Sequence, residues 1–338
     1  LHCYHKFCPW SHDGRRFLVL SFEPGIALAS VEVIDLETGA TTTLGRTECW
    51  EEHTGAMQHW CGADTALYRD STSGRREEPF GRTLVDVSNP GHRRFSPVSV
   101  SIGDARGSRW IGSLSPERFA GDRRASGVVT VDPGSGEMEL LCSIEHALAR
   151  HPRRHEIEHL PLFTKMETYH RRRPVALFNL VNSMRDGTGE KTANVFAIDL
   201  ESENVIHVGS IAHHPSWHPT EPWIVCFADD PSGRRRIAID RLDADGRVDR
   251  EFLPYFSLTG HPTFDPTGRF IAVDNYDVEP GHIALEVFDT TTHETHRLAR
   301  FRRQTYDSQG IPYATPATPH HQTPRAFFEQ NYGQVRAY

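Results

Sequence analysis

Short runs in which apolar and polar residues alternate recur along this chain, each introduced by a polar turn. The clearest copies are PWSHDGRRFLVLSF (9–22), MQHWCGADTALYRD (57–70), SIGDARGSRWIGSL (101–114), WHPTEPWIVCFADD (217–230), FDPTGRFIAVDNYD (264–277) and HHQTPRAFFEQNYG (320–333). Most are followed by a second alternating run that ends in Asp and a turn, as in NVFAIDLESENVIHVG (194–209). Because alternation with a period of two is typical of a β-strand, each repeat predicts a strand, a turn and a second strand.

The spacing of these repeats, roughly forty to fifty residues, is typical of a β-propeller in which each repeat forms one blade. A parallel α/β sheet would need helices between its strands, and the sequence offers one plausible helix, at 143–159. A divergent repeat near 156–209 completes the series. The sequence therefore predicts an all-β, seven-bladed β-propeller of four-stranded antiparallel blades in a single domain, 1–338. The blades are predicted to start near residues 1, 55, 96, 156, 211, 258 and 315.

Composition narrows the class of protein. The chain has 338 residues and a formal net charge of -8, which argues against a nucleic-acid partner because that role calls for a basic surface. No apolar run approaches the roughly 20 residues that span a bilayer, so no membrane partner is expected. The six cysteines show no C-x-x-C spacing, which favours a reducing compartment and hence the cytoplasm. A trimmed signal peptide would point instead to the periplasm or to secretion.

Several common catalytic and cofactor motifs are missing from the sequence. It contains no G-x-S-x-G elbow, P-loop, G-x-G-x-x-G or H-E-x-x-H motif, so no organic cofactor is expected. A peptidase of the prolyl-oligopeptidase type would need a hydrolase domain in addition to the propeller, and a chain of this length has no room for both.

Histidine stands at the same place in two successive repeats. His214 precedes Trp217 by three residues, and His261 precedes Phe264 by three. The first strand of a propeller blade lines the central channel, so both imidazoles are expected at one rim. The next repeat adds three candidate ligands: His320, His321 and Gln322. Imidazole and amide groups can bind a divalent cation such as Mn, Ca or Zn; alternatively, a His-Pro entry only hydrogen-bonds the backbone of the next blade.

A second group of residues suits proton transfer at an acidic sugar. His159 and Tyr169 can act as base and acid, and Arg185 can neutralise a carboxylate and make its α-proton easier to remove. With His214 they form the predicted catalytic set. The predicted substrate contacts are His5, His59, Trp60 and Arg118. A tryptophan here serves as a sugar-stacking platform or, alternatively, as a core residue.

The segments HKFCPWSHDGRRFLV, GAMQHWCGADTALYRD, HHPSWHPTEPWIVCF and GHPTFDPTGRFIAVDNYD, in this order, resemble the seven-bladed propeller polysaccharide lyases. That group includes oligogalacturonate lyase, the ulvan lyases and the rhamnosyl-glucuronate lyases. The resemblance implies cleavage of a uronic-acid glycoside by β-elimination, which leaves an unsaturated sugar at the new non-reducing end. It covers most of the chain, and the entry histidines and the MQHW segment carry its specificity.

The resemblance also implies two alternative sites. In oligogalacturonate lyase, histidines and a glutamine hold a manganese ion that binds the uronate carboxylate, and a similar set here is His261, His320, His321 and Gln322. Ulvan-type lyases use histidine, tyrosine and arginine instead, and here His159, Tyr169 and Arg185 look similar. The order HHQ departs from the first pattern, in which a glutamine precedes the histidines.

The sequence therefore predicts an enzyme, a carbon–oxygen lyase acting on a uronate-containing oligo- or polysaccharide. The alternative is a propeller similar to TolB that binds a partner or a carbohydrate without chemistry, because the blade turns of this chain also resemble those of TolB-like propellers.

Overall fold

The computed structural model describes residues 9–302, apart from positions 12, 24–25, 51–54, 75–80, 97–100, 107–108, 115, 117–120, 133–134, 183–191, 212, 244, 257–259 and 276–281. The chain divides into two compact units. The first unit comprises 1–99, 273–286 and 297–336, and the second comprises 100–272, 287–296 and 337–338. The prediction of a single domain stays a prediction.

The first unit contains two antiparallel sheets whose strands follow one another in chain order. The first sheet consists of β1 (Arg16–Ser21), β2 (Ala29–Asp35) and β3 (Thr41–Thr47). The second sheet consists of β4 (His59–Trp60), β5 (Thr65–Asp70), β6 (Gly81–Asp86) and β7 (Arg93–Ser96). Alternate residues of β1 and β2 face a shared apolar core, as the period-two pattern of the sequence predicts.

The second unit contains three complete antiparallel sheets of four strands. The first consists of β8 (Ser101–Arg106), β9 (Arg109–Leu114), β10 (Gly127–Val131) and β11 (Met138–Ser143). The second consists of β12 (Leu162–Tyr169), β13 (Val175–Asn182), β14 (Ala193–Asp199) and β15 (Val205–Ser210). The third consists of β16 (His213–Trp217), β17 (Trp223–Asp229), β18 (Arg235–Leu242) and β19 (Val248–Phe256). In each sheet the strands are hydrogen-bonded in chain order, so every connection between neighbours is a hairpin.

A sixth sheet has residues in both units. It consists of β20 (Thr263–Phe264), β21 (Phe270–Asn275), β22 (His282–Asp289) and β23 (Thr295–Arg302). Up-and-down sheets of four strands are the blades of a β-propeller, so the predicted fold class is confirmed. The structure shows six blades rather than the predicted seven, and the segment from residue 315, predicted as the seventh blade, lies outside the described residues.

The predicted helix at 143–159 is interrupted. Helix α1 (Ile144–Arg150) begins at Ser143, whose hydroxyl accepts a hydrogen bond from the amide of His146, and a second helix, α2 (Arg154–Ile157), follows. Between them His151 has an extended backbone, because the ring of Pro152 disfavours helical geometry in the residue before it. Within the described part of the chain, neither helix is long and apolar enough to cross a membrane.

Two histidines, His170 and His218, close the turns that follow β12 and β16. The Nδ1 atom of each accepts hydrogen bonds from the backbone amides two and three residues further on, at 3.0 to 3.2 Å. Because Nδ1 accepts, the proton lies on Nε2. That atom donates to the turn of the following sheet, from His170 to the Glu221 carbonyl (2.9 Å) and from His218 to the Gly268 carbonyl. These histidines therefore join successive sheets.

Replacing Gly268 with alanine tests the contact between His218 and the next turn. Gly268 has a φ of +77°, and a Cβ atom there would overlap Nε2 of His218. We expect the variant to lower the free energy of unfolding by about 2 kcal/mol or more, since backbone strain of about 1 kcal/mol adds to the loss of the contact. Urea denaturation followed by circular dichroism measures the change.

The matched control is Gly233→Ala, because Gly233 has the same φ of +77° and a Cβ atom there meets nothing within 4 Å. This variant carries the backbone strain without the overlap, so its loss should be about 1 kcal/mol. Equal losses in the two variants would show that the contact with His218 contributes nothing.

A buried ion pair lies inside the sheet that begins with β16. Asp240 in β18 is fully buried, and both of its carboxylate oxygens accept hydrogen bonds from Arg250 in β19, at 2.6 and 2.8 Å. Arg250 also donates to the carbonyl of Ser210 at 2.9 Å. The pair therefore links β18, β19 and the end of β15 through one guanidinium group.

A second pair of histidines, His151 and His207, is packed between α1 and the sheet of β14 and β15. Their rings lie 4.5 Å apart at 64°, and Nε2 of each contacts Oδ1 of Asn194, at 3.1 and 3.4 Å. Burial, followed by the positive charges of His151, Arg250 and Arg153, lowers the pKa of His207 from 6.5 to about 4. His207 is therefore neutral in the folded protein near pH 7.

The lowered pKa of His207 predicts a loss of stability in mild acid. Between pH 6.5 and about pH 4 the unfolded chain binds a proton at His207, whereas the folded chain does not. The free energy of unfolding should therefore fall as the pH falls through that window. Urea midpoints measured across it should decline less steeply in His207→Gln than in the wild type, and identical slopes would exclude His207 as a source of the decline.

Candidate functional site

His214 lies where the first strand of its sheet is irregular, and His261 directly precedes the first strand of the next sheet. In β16, His213 pairs with Phe227 and Ser216 pairs with Val225, so three steps on β16 match two on β17. This register shift is a β-bulge that contains His214 and Pro215, and proline suits a bulge because it has no amide hydrogen to give to the ladder. His261 and Pro262 stand directly before β20. A bulge redirects side chains, and bulges are common next to functional sites.

The structure brings His214 and His261 together as a stacked pair, which we call the histidine pair. Their ring centroids are 4.5 Å apart and their planes differ by 16°. His261 is buried, with 5% of its surface exposed, whereas His214 is half-buried. A contact of 3.1 Å between the hydroxyl oxygens of Ser216 and Thr263 joins the same two strands two residues further on. Both partners belong to the second unit.

The position of the histidine pair in the blade does not itself require histidine. Counting three residues back from the aromatic that ends the first strand leads to Met166 in β12 and to Met57 before β4. Both methionines have a positive φ, 64° and 51°, and β12 has a register shift at Met166 that matches the one in β16. A backbone irregularity thus recurs at this position, while the side chain changes from methionine to histidine. The sequence repeat did not reveal this, because a bulge has no residue signature of its own.

The histidine pair can supply a nitrogen ligand to a cation and a second imidazole beside it. Imidazole nitrogen suits Mn, Fe, Ni or Zn. Because the lone pairs of stacked rings run almost parallel, one ring of the pair can serve as a ligand while the other reaches a neighbouring group. Within the described residues, no group of three or more His, Cys, Asp or Glu side chains could hold a metal. The remaining predicted ligands, His320, His321 and Gln322, lie outside the described residues.

The predicted acid–base residues are not brought together. His159 is exposed in the turn between α2 and β12, whereas Tyr169 ends β12 and is packed in the apolar core, 8% exposed. An eight-residue strand separates them, which corresponds to roughly 23 Å. The catalytic role of this combination stays a prediction that the geometry does not favour. Arg185 lies outside the described residues.

Two predicted substrate contacts of the first unit, His59 and Trp60, make contacts with other residues of the chain. His59 is buried, and its Nδ1 is 2.8 Å from the carbonyl oxygen of Met57. Trp60 donates from Nε1 to the carbonyl of Pro9 (2.8 Å), and the guanidinium of Arg16 lies 5.1 Å from the centre of its ring. Trp60 also packs against the apolar core of this unit, which is the core alternative that the sequence allowed. His5 and Arg118 lie outside the described residues.

Comparison with known proteins shows the fold. No known family model matches this sequence, and no curated protein matches it. A solved oligogalacturonate lyase in complex with manganese is 15% identical, with a TM-score of 0.56, over 88% of this chain and 77% of the lyase.

Two further solved structures are similar over most of this chain. The tricorn protease is 11% identical, with a TM-score of 0.55, over 91% of this chain and 32% of that protease. The β-propeller domain of the Trilobed protease from Pyrococcus furiosus is 9% identical, with a TM-score of 0.52, over 85% of this chain and 82% of that domain. The TM-scores of these three structures indicate a shared β-propeller fold, and their low sequence identities leave the activity of this chain open.

Proposed function

We propose that this chain is a lyase that cleaves a uronate-containing oligo- or polysaccharide by β-elimination, with the histidine pair as its centre. The observation that carries the proposal is the stacking of His214 on His261 at 4.5 Å, at a bulge of the blade's first strand. The likeness of the fold to an oligogalacturonate lyase in complex with manganese supports it. The substrate screen below identifies which uronate polymer is cleaved.

In this proposal the two histidines have different tasks. His261, the more buried of the pair, is a ligand that holds the uronate carboxylate in place through a divalent cation. A bound cation supplies Lewis acidity, which withdraws charge from the carboxylate and makes the proton at C5 easier to remove. His214, which is half-buried and therefore accessible, is the base. Its imidazole takes the C5 proton.

The electron pair left at C5 forms the double bond to C4, and the bond between C4 and the glycosidic oxygen breaks. The leaving oxygen then takes a proton from solvent or from an acid. The products are an unsaturated uronate and a sugar with a free hydroxyl group, so protons and electrons balance without an oxidant or a reductant.

A second candidate function is binding without chemistry, as expected for a propeller similar to TolB. The observation that favours it is that the same fold serves as a domain of proteases, so a propeller does not need a reaction of its own. In that case the histidine pair would bind an acidic sugar or a protein partner as a recognition element.

A substrate screen separates the two functions. Pectate, ulvan, gum arabic and glucuronan are each incubated with the protein, with and without EDTA, and the ultraviolet absorbance of the conjugated enoate is followed. A lyase gives a rising signal on at least one polymer, and EDTA suppresses that signal. A binding module gives none, and calorimetry then shows whether any polymer binds. No enoate from any polymer, together with no metal in the purified protein, would reject the proposed lyase.

A further inference from the structure

An open groove on the surface of the second unit is lined by residues that belong neither to the histidine pair nor to its strands, β16 and β20. It has a volume of about 350 Å³ and is lined by Arg150, Pro152, Asn204, His207, Asp245 and Gly246, together with the start of β15. We call it the outer pocket. β15 is the fourth strand of its sheet, whereas His214 lies in β16, the first strand of the next sheet. A volume in this range is large enough for a monosaccharide-sized ligand.

The outer pocket has an excess of positive charge on one side. Arg150, the last residue of α1, is exposed, and no carboxylate of the described residues pairs with it. Arg153 and Arg250 lie close enough to His207 to affect its protonation. Their own carboxylate partners are Glu156 (3.2 Å) and Asp240. The unpaired guanidinium of Arg150 is therefore the group in this pocket best placed to meet an anion.

The other walls of the outer pocket offer hydrogen-bonding groups of both kinds. His207 contacts Asn194 through Nε2, so its Nδ1 remains as an acceptor, and protonation would make it a donor. Asn204 provides an amide, and Asp245 provides a carboxylate on the turn between β18 and β19. A ligand that satisfies these walls carries an anionic group for Arg150 and hydroxyl groups for the carboxylate and the amide.

We propose that the outer pocket binds a small hydroxylated oxyanion, a sugar acid or a sugar phosphate, with its anionic group on Arg150 and its hydroxyl groups toward His207, Asp245 and Asn204. This second site does not depend on the lyase function of the histidine pair. The charges that line the pocket disfavour neutral sugars, because these leave Arg150 without a partner. They also disfavour simple anions, because these leave Asp245 facing a negative charge.

Calorimetric titration with glucuronate and with glucose-1-phosphate tests the proposal, and glucose and inorganic phosphate serve as probes that carry one feature each. We expect at least one of the hydroxylated anions to bind more tightly than either single-feature probe. Arg150→Gln should weaken that binding by about tenfold or more, because a charge-assisted hydrogen bond is lost. Asp245→Asn should reduce the preference for the hydroxylated anion over inorganic phosphate. The matched control is Arg171→Gln, at an exposed arginine outside the pocket, which should bind as the wild type does.

Two further readouts keep the outcome decisive. The imidazole resonances of His207 should shift on binding, because this ring lines the pocket and its Nδ1 would accept a hydrogen bond from a ligand hydroxyl. In titrations with EDTA present, so that no cation at the histidine pair contributes, His261→Ala should leave this binding unchanged, and failure of the lyase proposal and failure of this one can be told apart. Absence of binding by both hydroxylated anions, or an equal loss in Arg150→Gln and Arg171→Gln, would overturn the proposal.

Discussion

Replacing His261 with alanine is expected to lower the rate of enoate formation on the responsive uronate polymer by about 100-fold or more, because a cation that stabilises the developing charge contributes several kcal/mol to the barrier. His261 is buried against His214 at a ring separation of 4.5 Å, so no neighbouring solvent molecule replaces its nitrogen without rearrangement. The rate is measured as ultraviolet absorbance under saturating polymer, with added Mn²⁺.

The control for this variant is His296→Ala, at a histidine whose side chain is 58% exposed and which belongs to the same unit. It should react at the wild-type rate. His261→Gln should recover part of the activity if the residue is a ligand, since an amide oxygen can bind a cation. Full activity in His261→Ala would show that the reaction does not need the histidine pair. The chemistry would then depend on His159 or on residues outside the described part of the chain.

Replacing Asp240 with asparagine is expected to lower the free energy of unfolding by about 3 kcal/mol. The carboxylate is fully buried and accepts two hydrogen bonds from Arg250. The variant keeps the shape of the side chain but leaves the guanidinium without a counter-charge. The expected loss is at the lower end for a buried pair, because the Arg250 side chain is 23% exposed and still reaches water.

Asp229→Asn is the matched control for the ion pair. Asp229 lies 3.2 Å from Arg235 at the hairpin end of β17 and β18 in the same sheet, but its side chain is 54% exposed. Exposed pairs contribute about 1 kcal/mol or less, so this variant should unfold close to the wild-type midpoint. Thermal and urea unfolding of both variants measure the difference, and equal stabilities would mean that burial of the Asp240 pair adds nothing.

The blades could be predicted from the sequence because a four-stranded sheet repeats its turn, its apolar alternation and its closing Asp. The predicted start near 211 agrees with β16 at His213, and the predicted start near 258 agrees with β20 at Thr263. The break in the helix at His151 was also readable in principle, since Pro152 follows it. The number of blades could not be predicted, because the last repeat is not followed by the second alternating run, ending in Asp and a turn, that follows most of the others.

The candidate site was only partly predictable. The spacing from Trp217 and Phe264 correctly placed His214 and His261 at equivalent positions, but it could not show that their rings stack, because that depends on the bulge in β16. The sequence also gave no way to separate these histidines from His218, which is four residues away from His214 and holds the next turn.

The residue type of Tyr169 did not predict its burial. A tyrosine near a histidine and an arginine suggests acid–base chemistry, yet this one ends β12 on the core side of its sheet. Burial depends on which face of the strand a residue occupies, and the bulge at Met166 changes that face in the middle of β12. A register shift moves every later side chain to the opposite face of the sheet. The residue types in β12 do not predict such a shift.

Paramagnetic broadening by Mn²⁺ tests the assignment of the histidine pair most directly. Substoichiometric Mn²⁺ is added to the protein, and the imidazole resonances of His214, His261, His207 and His296 are followed by NMR. Because broadening falls steeply with distance from the ion, we expect the resonances of His214 and His261 to disappear first, while those of His207 and His296 persist, and we expect EDTA to restore them. Broadening that is equal across all four histidines, or strongest at His207 or His296, would contradict a cation site at the histidine pair.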